Sequence, residues 1–225
     1  MNNHVVAMHI SNGIIDGPVS GIYAAIAAAA IAVCVLRARA DLDDRLAPMA
    51  GLVAAFIFAV QMLNFPVLPG VSGHLLGGTL AAILVGPWVG ALCVTVVLVV
   101  QALVFADGGV TALGLNVTNM AVIGTSVGYL LVVVLLRARV PLVWAAFVAS
   151  VAGVVIASQG FVLQYAFGGA ETPSIGEVAA LMAGPHVLIG IGEGLITAVT
   201  VSAVAKARPD LVYALRTSRR ELVTV

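Results

Sequence analysis

The chain has 225 residues, of which 62% are hydrophobic and 9% are charged, and its formal net charge at pH 7 is zero. Soluble domains carry about 25% charged residues, so this composition excludes an ordinary soluble protein and predicts an integral membrane protein. The balanced charge by itself indicates no class of partner, and we expect no nucleic acid among the partners.

Long apolar runs predict an all-α bundle of about seven transmembrane helices. The predicted spans, in chain order, are residues 20–36, 51–63, 75–86, 88–105, 112–136, 142–167 and 186–205. As one helix, the run 75–105 would extend roughly 46 Å at ~1.5 Å per residue, whereas the hydrocarbon core is ~30 Å thick. We therefore place a break at Gly86-Pro87, near its middle.

The basic residues support this division. With seven spans, all of them fall on one side: Arg37, Arg39, Arg45, Arg137, Arg139, Lys206, Arg208, Arg216, Arg219 and Arg220. Short loops rich in Lys and Arg mark the cytoplasm, so we expect the N-terminus outside and the C-terminus in the cytoplasm. His9, His74, the turn at Asp107 and His186 then share the outer side.

Cys34 and Cys93 lie inside apolar runs without metal-type spacing and are predicted to be buried apolar side chains.

The stretch from Asn64 to Thr79 joins two of the apolar runs and is rich in Pro and Gly. Non-helical backbone at membrane depth is tolerated only where it is buried in protein or lines a wet cavity. His74, which lies among these glycines, can offer its imidazole to a small ligand. A loop histidine without a binding role is the alternative.

Met8-His9 near the start of the chain gives a second candidate. If Met8 were the first residue, its amine, the deprotonated backbone nitrogen of His9 and the His9 imidazole would place three nitrogens in one plane. His74 would complete a square, which suits Cu(II), Ni(II) or low-spin Co(II). If Met8 is internal, His9 is instead an ordinary histidine at the membrane interface.

Several polar motifs follow one another along nearly the whole chain. They are Met8-His9-Ile10 with Gly13-Ile14-Ile15-Asp16, Gln61-Met62-Leu63-Asn64-Phe65-Pro66-Val67, Ser72-Gly73-His74-Leu75-Leu76-Gly77, Leu84-Val85-Gly86-Pro87-Trp88, Val100-Gln101-Ala102-Leu103 with Asp107-Gly108-Gly109, Gly114-Leu115-Asn116 with Asn119-Met120-Ala121, and Ile191-Gly192-Glu193-Gly194-Leu195-Ile196-Thr197. This ordered set resembles the CbiM/NikM family, the substrate-capturing subunits of energy-coupling-factor transporters for cobalt and nickel.

The resemblance implies metal ligation by Met8 through its amine, by His9 through backbone and side chain, and by His74 through its ring. The family normally begins at Met-His, whereas seven residues precede that pair here. We interpret residues 1–7 as a non-native or misassigned leader and 8–225 as a single transmembrane metal-binding domain. The ligands suit cobalt and nickel equally.

Other polar residues are candidates for supporting the ligands. His186 and Glu193 are seven residues apart and share a helix face, so Glu193 is expected either to pair with His186 or to orient a ligand, or else to form a structural hydrogen bond. Asn64, Asn116 and Asn119 are expected to hydrogen-bond the metal-bearing segment or to join helices. Ser72 belongs to the same set.

The family resemblance implies a transport subunit that is not an enzyme. The sequence has no Gly-x-x-x-x-Gly-Lys-Ser/Thr phosphate-binding loop, so ATP hydrolysis would need another protein. The resemblance implies two cytoplasmic ATPases, a coupling transmembrane subunit and a small accessory membrane subunit as partners. Two alternatives remain open. Ser72 in Gly70-Val71-Ser72-Gly73 with His186 as base would describe an intramembrane serine protease, and an autonomous metal channel would need no ATPase.

Overall fold

The computed structural model describes residues 9–41, 46–63, 65–68, 71–169, 171 and 173–216. Within these ranges it has seven helices of eight or more residues: α1 (Gly17–Asp41), α2 (Leu46–Gln61), α3 (Gly78–Val85), α4 (Pro87–Val104), α5 (Leu113–Arg137), α6 (Leu142–Gly168) and α7 (Ile175–Ala207). Five of them, α1 and α4 to α7, are long and apolar enough to cross a membrane, and α2 is a shorter apolar helix. The predicted helical membrane bundle is confirmed.

A small β-hairpin lies between α2 and α3. Strands β1 (Phe65–Leu68) and β2 (Val71–Gly73) pair antiparallel, with Phe65 opposite Gly73 and Leu68 opposite Val71. The register is irregular between Pro66 and Leu68, where proline has no N–H to donate to a ladder. The sequence predicted a non-helical connection in this stretch but not its strands.

Helix α3 is buried along its whole length but is too short to cross a bilayer. All eight of its residues are buried, and at ~1.5 Å per residue it extends only ~12 Å against a core of ~30 Å. The helix is therefore shorter than the predicted span 75–86, and residues 75–77 precede it without helical structure. The predicted break is confirmed, because Gly86 adopts a φ of 86°, which favours glycine, and Pro87 opens α4.

The last long helix begins well before its predicted start. Residues 168–184 read as a loop because they contain Glu171, Pro173 and Glu177, but α7 starts at Ile175. Ser174 caps it in a reciprocal capping box with Glu177, and Pro185 lies inside the helix. The predicted start at 186 is wrong, and His186 lies within the helix.

Close packing surrounds α3 at the centre of the bundle. A Cβ atom on Gly78 would lie 2.9 Å from the backbone nitrogen of Thr125 in α5, and one on Gly90 of α4 would lie 3.0 Å from the carbonyl carbon of Ala81. Small residues thus allow close approach of helices in a membrane. Cys34 and Cys93 are both buried, as predicted.

Inter-helix contacts distinguish two ends of the bundle. At one end Arg37 lies 5.8 Å from the ring centre of Trp88, and Tyr213 packs against Gly86 and Tyr129. We call this the basic end, because the C-terminal ends of α1, α5 and α7 bring described basic residues to it: Arg37, Arg39, Arg137, Arg139, Lys206 and Arg208. The opposite end, which holds His9, His74 and Asp107, we call the histidine end.

Candidate metal-binding site

Two histidines from distant parts of the chain lie side by side at the histidine end. The ring centres of His9 and His74 are 4.6 Å apart, and the two residues are 6% and 7% exposed. An imidazole nitrogen binds Zn²⁺ at about 2.0–2.1 Å; with similar bonds, two rings in adjacent positions of a square plane would have centres roughly 4.5 Å apart. The observed separation fits two imidazoles that share one ion.

The His9 ring is buried without hydrogen-bond partners. Its side chain is 1% exposed, and neither ring nitrogen makes a hydrogen bond. Nδ1 lies 3.2 Å from Oδ1 of Asp107, which is close enough for electrostatic attraction but lacks hydrogen-bond alignment. Buried polar atoms without partners are costly, and a bound cation beside the Asp107 carboxylate would give a partner to the ring nitrogen that carries the lone pair.

The tautomer of His74 is fixed by its neighbour. Nδ1 of His74 lies 2.9 Å from the carbonyl oxygen of Leu75. A carbonyl oxygen can only accept a hydrogen bond, so Nδ1 carries the proton and the lone pair is on Nε2. Metal-binding histidines commonly donate their other nitrogen in this way, so Nε2 is the nitrogen suited to coordinate metal.

The chain around His9 is held by the segment that leads into α5. Ile10 donates its N–H to Oδ1 of Asn116 over 3.0 Å, and Nδ2 of Asn116 donates to the Ile10 carbonyl over 3.2 Å. Gly109 donates to the same carbonyl over 2.9 Å, and both the N–H and the hydroxyl of Thr111 donate to Oδ1 of Asn12. Asn116 therefore supports the predicted metal-bearing segment.

Gly108 brings the turn after α4 directly against His9. Its φ is 93°, a conformation that favours glycine. A Cβ atom at this position would lie 2.8 Å from the Cβ of His9. The Asp107-Gly108-Gly109 turn is thus shaped for contact with the first histidine.

The chain after His74 is held from the opposite side by Glu193. Oε2 of Glu193, which is 2% exposed, accepts hydrogen bonds from the N–H groups of Leu76 over 2.6 Å and Gly77 over 3.2 Å. Nε2 of Gln61 donates to the Leu76 carbonyl over 2.7 Å. Both backbone polar groups of Leu76 are therefore fixed two residues after the second histidine.

This arrangement decides between the predictions for Glu193. Pairing with His186 was one of the alternatives, but the Glu193 carboxylate bonds backbone N–H groups, and Nδ1 of His186 lies 2.6 Å from the Met182 carbonyl. A buried carboxylate is tolerated inside a helix bundle when its oxygens accept hydrogen bonds from N–H donors. Gln61 was not predicted to support the site, although its amide at the end of an apolar helix begins one of the motifs that resemble the family.

Asn119 joins helices. It exchanges two hydrogen bonds with Gln164 of α6, over 2.8 and 2.9 Å. Residues three apart share a face of an α-helix, but α5 is a π-helix over Val117–Gly124, and Asn116 and Asn119 bond to different partners. Asn116 therefore hydrogen-bonds the segment that carries His9, whereas Asn119 joins two helices.

Some predicted site residues cannot be placed. Met8 and Asn64 lie outside the described residues, and only the backbone of Ser72 is described, in β2. Among the residues that the structure does describe, no three His, Cys, Asp or Glu side chains are grouped to hold a metal ion. Two imidazoles would need further ligands, so the expected backbone and amine nitrogens remain a prediction.

Comparison with known proteins finds relatives named as metal transport proteins, including the following three. A protein of Haloquadratum walsbyi provisionally named a metal transport protein is 42% identical over 206 residues, 92% of this chain and 94% of its own length. A provisionally named fused nickel transport protein, NikMN, of Archaeoglobus fulgidus is 40% identical over 91% of this chain and 68% of its own length. The cobalt transport protein CbiM of Sorangium cellulosum is 32% identical over 94% of this chain and 97% of its own length.

The fold is similar as well. A crystal structure of a truncated transition metal transporter superposes with a TM-score of 0.81 at 28% identity, covering 89% of this chain and 99% of that one. The profile of the family described as the cobalt uptake substrate-specific transmembrane region matches residues 9–211, a range that includes both paired histidines. This protein is therefore a multi-pass prokaryotic membrane protein, and it belongs to the CbiM family.

Proposed function

We propose that this protein captures Co(II) or Ni(II) at the outer face of the membrane as the metal-binding subunit of an energy-coupling-factor importer. The observation that carries the proposal is the buried pair of His9 and His74, whose ring centres are 4.6 Å apart and whose first member has no hydrogen-bond partner. The relatives named for cobalt and for nickel transport support the two metals.

The proposed ligands are four nitrogens in a plane. They are the amine of Met8, the backbone nitrogen of His9, Nδ1 of His9 and Nε2 of His74. Nδ1 is the only ring nitrogen of His9 that can close a six-membered chelate ring with its own backbone nitrogen, and it has no hydrogen-bond partner. Four nitrogens in a plane suit Ni(II) and other metals with square geometry.

The hydrogen bonds around the site suggest how the ion is held and released. Asn116 fixes the backbone that carries His9, and Glu193 fixes the backbone that follows His74. Separation of these two segments would pull the imidazoles apart and free the ion. We propose that ATP-driven movement of the whole subunit against a coupling protein brings this about on the cytoplasmic side.

Metal titration of three forms of the protein tests the ligand set. The forms start at Met1, start at Met8, or start at Met8 and carry His74→Ala, and intact-protein mass spectrometry verifies each start. We expect tight Co(II) or Ni(II) binding only by the second form, with losses beyond the ~10–100-fold typical of residues that merely support ligands. Equal binding by the Met1 form would remove the amine from the ligand set.

Transport in reconstituted vesicles tests the proposed partners. Two ATPases, a coupling membrane subunit and a small accessory subunit should be needed for uptake of metal in the presence of ATP. Uptake by this protein alone would instead identify an autonomous channel. Relatives named as metal transport proteins favour transport over serine proteolysis, so Ser72→Ala should retain metal uptake.

A further inference from the structure

A cavity of about 260 Å³ adjoins the paired histidines. His9 and His74 line part of its wall, and His186 of α7 lines another part, together with Met120 and Met182. Much of the remaining wall is apolar, and none of the described residues that line it is acidic. Besides the histidines and methionines, the described polar side chains in the wall are those of Asn116, Asn119 and Ser158. An ion that reaches the pair through this cavity therefore meets few groups able to replace its hydration shell.

His186 is held so that it can bind a metal ion. Its Nδ1 lies 2.6 Å from the carbonyl oxygen of Met182, which can only accept, so Nδ1 carries the proton and Nε2 carries the lone pair. His186 and Met182 are half-buried, whereas His9 and His74 are buried. The third imidazole is therefore the one in the cavity wall that protein buries least.

We propose that His186 is a transient ligand that passes incoming Co(II) or Ni(II) through this cavity to the His9–His74 pair. The inference rests on the proposed function. A dication is strongly disfavoured in an apolar cavity unless ligands replace its lost water. The neutral imidazole of His186 would replace one water molecule, and the ion would then exchange this nitrogen for those of the final site, with no change of charge or oxidation state.

A relay has a kinetic signature that separates it from other roles. It lowers the barrier between bulk water and the final site in both directions, so its loss slows binding and release by the same factor. A ligand of the final site would instead change the dissociation constant. A purely structural histidine would change the stability of the protein without this matched change in the two rates.

The experiment measures both rates on the purified form that starts at Met8, with Co(II) alone and with Ni(II) alone. Stopped-flow absorbance gives the association rate constant, and displacement by excess chelator gives the dissociation rate constant. His186→Ala is compared with His186→Asn, whose amide can still donate to the Met182 carbonyl, and with Leu181→Ala, an exposed position on the same helix outside the cavity lining. Thermal unfolding without metal shows whether each variant is folded.

Both His186 variants should slow association and dissociation at least about tenfold, equivalent to ~1.4 kcal/mol of barrier, with the dissociation constant within about twofold of wild type. Leu181→Ala should change neither rate. An unchanged association rate in a folded variant, or a raised dissociation constant, would overturn the relay while leaving the proposed function intact. Failure of the wild-type protein to bind either metal would overturn both.

Discussion

Replacing Glu193 with alanine should displace His74 without touching any proposed ligand. The carboxylate accepts hydrogen bonds from the backbone N–H groups of Leu76 and Gly77 and is almost completely buried. No water replaces it readily at such a position. The variant should therefore leave two buried donors without partners, and the segment that follows the second histidine should move to satisfy them.

The magnitude follows from those two bonds. An orphaned buried donor costs about 1–3 kcal/mol, so Glu193→Ala should cost roughly 2–6 kcal/mol in the conformation that the site requires. A movement that relieves this strain should weaken metal binding by about 10–100-fold, the range seen when a group supporting a metal ligand is lost. Glu193→Gln keeps an oxygen acceptor, so its effect should be smaller.

Isothermal titration with Co(II) or Ni(II) measures the affinity, and thermal unfolding without metal measures the stability. Glu177→Ala provides a matched control, because it makes the same change on the same helix at an exposed position. It should remove the capping box with Ser174, at a cost of about 1 kcal/mol, and leave metal affinity unchanged.

A double-mutant cycle with His74→Ala supplies the decisive comparison. If Glu193 acts by positioning this histidine, then Glu193→Ala should have little further effect on affinity once His74 is gone, since the two changes remove the same contribution. Additive losses would show that the carboxylate acts elsewhere. Unchanged affinity in a folded single variant would refute the positioning role outright.

Four further outcomes are expected. Asn116→Ala should weaken metal binding about 10–100-fold, measured by titration, because it releases the backbone that carries the first histidine. Gly108→Ala should abolish tight metal binding, because the added Cβ would lie 2.8 Å from the Cβ of His9. Gly13→Ala is the control: it strains a backbone φ of 81° but places its Cβ in open space, so it should lower thermal stability alone. Acidification should lower affinity, because protons compete for nitrogen ligands; a flat titration series from about pH 8 to pH 5 would contradict nitrogen ligation. In intact cells an impermeant thiol reagent should label Val110→Cys from outside and should not label Ala138→Cys; the reverse pattern would invert the topology.

Periodicity and charge predicted most of the bundle. The apolar runs gave α1, α4, α5 and α6 nearly in full, because a bilayer dictates helices of known length. They failed on the length of α3, whose residues are all buried by protein, an environment that a hydropathy pattern cannot distinguish from lipid. They also failed at the start of α7, where Glu177 and Pro185 resemble loop residues although one caps the helix and the other lies within it.

The site was predictable where its chemistry is carried by distinctive side chains. His9 and His74 are conspicuous in an apolar chain, and the structure brings their rings together. The partners of Glu193 could not be read from the sequence, because they are backbone N–H groups more than a hundred residues away. The role of Gln61 was hidden for the same reason, since its acceptor is a carbonyl oxygen that every residue possesses.

The hydrogen bonds that enclose the two histidines also impose an order of events during synthesis. The segment with His9 leaves the ribosome early, whereas Asn116, which bonds to it, follows much later. Asp16 likewise donates its N–H to the carbonyl of Gly168, at the end of α6. Glu193, which holds the other histidine, lies in the last long helix. Contacts so distant in sequence form only after the intervening chain is in place. If the paired histidines bind metal as proposed, a nascent chain would retain an ion poorly before that helix has entered the bilayer, and tight binding would mark a subunit whose membrane insertion is complete.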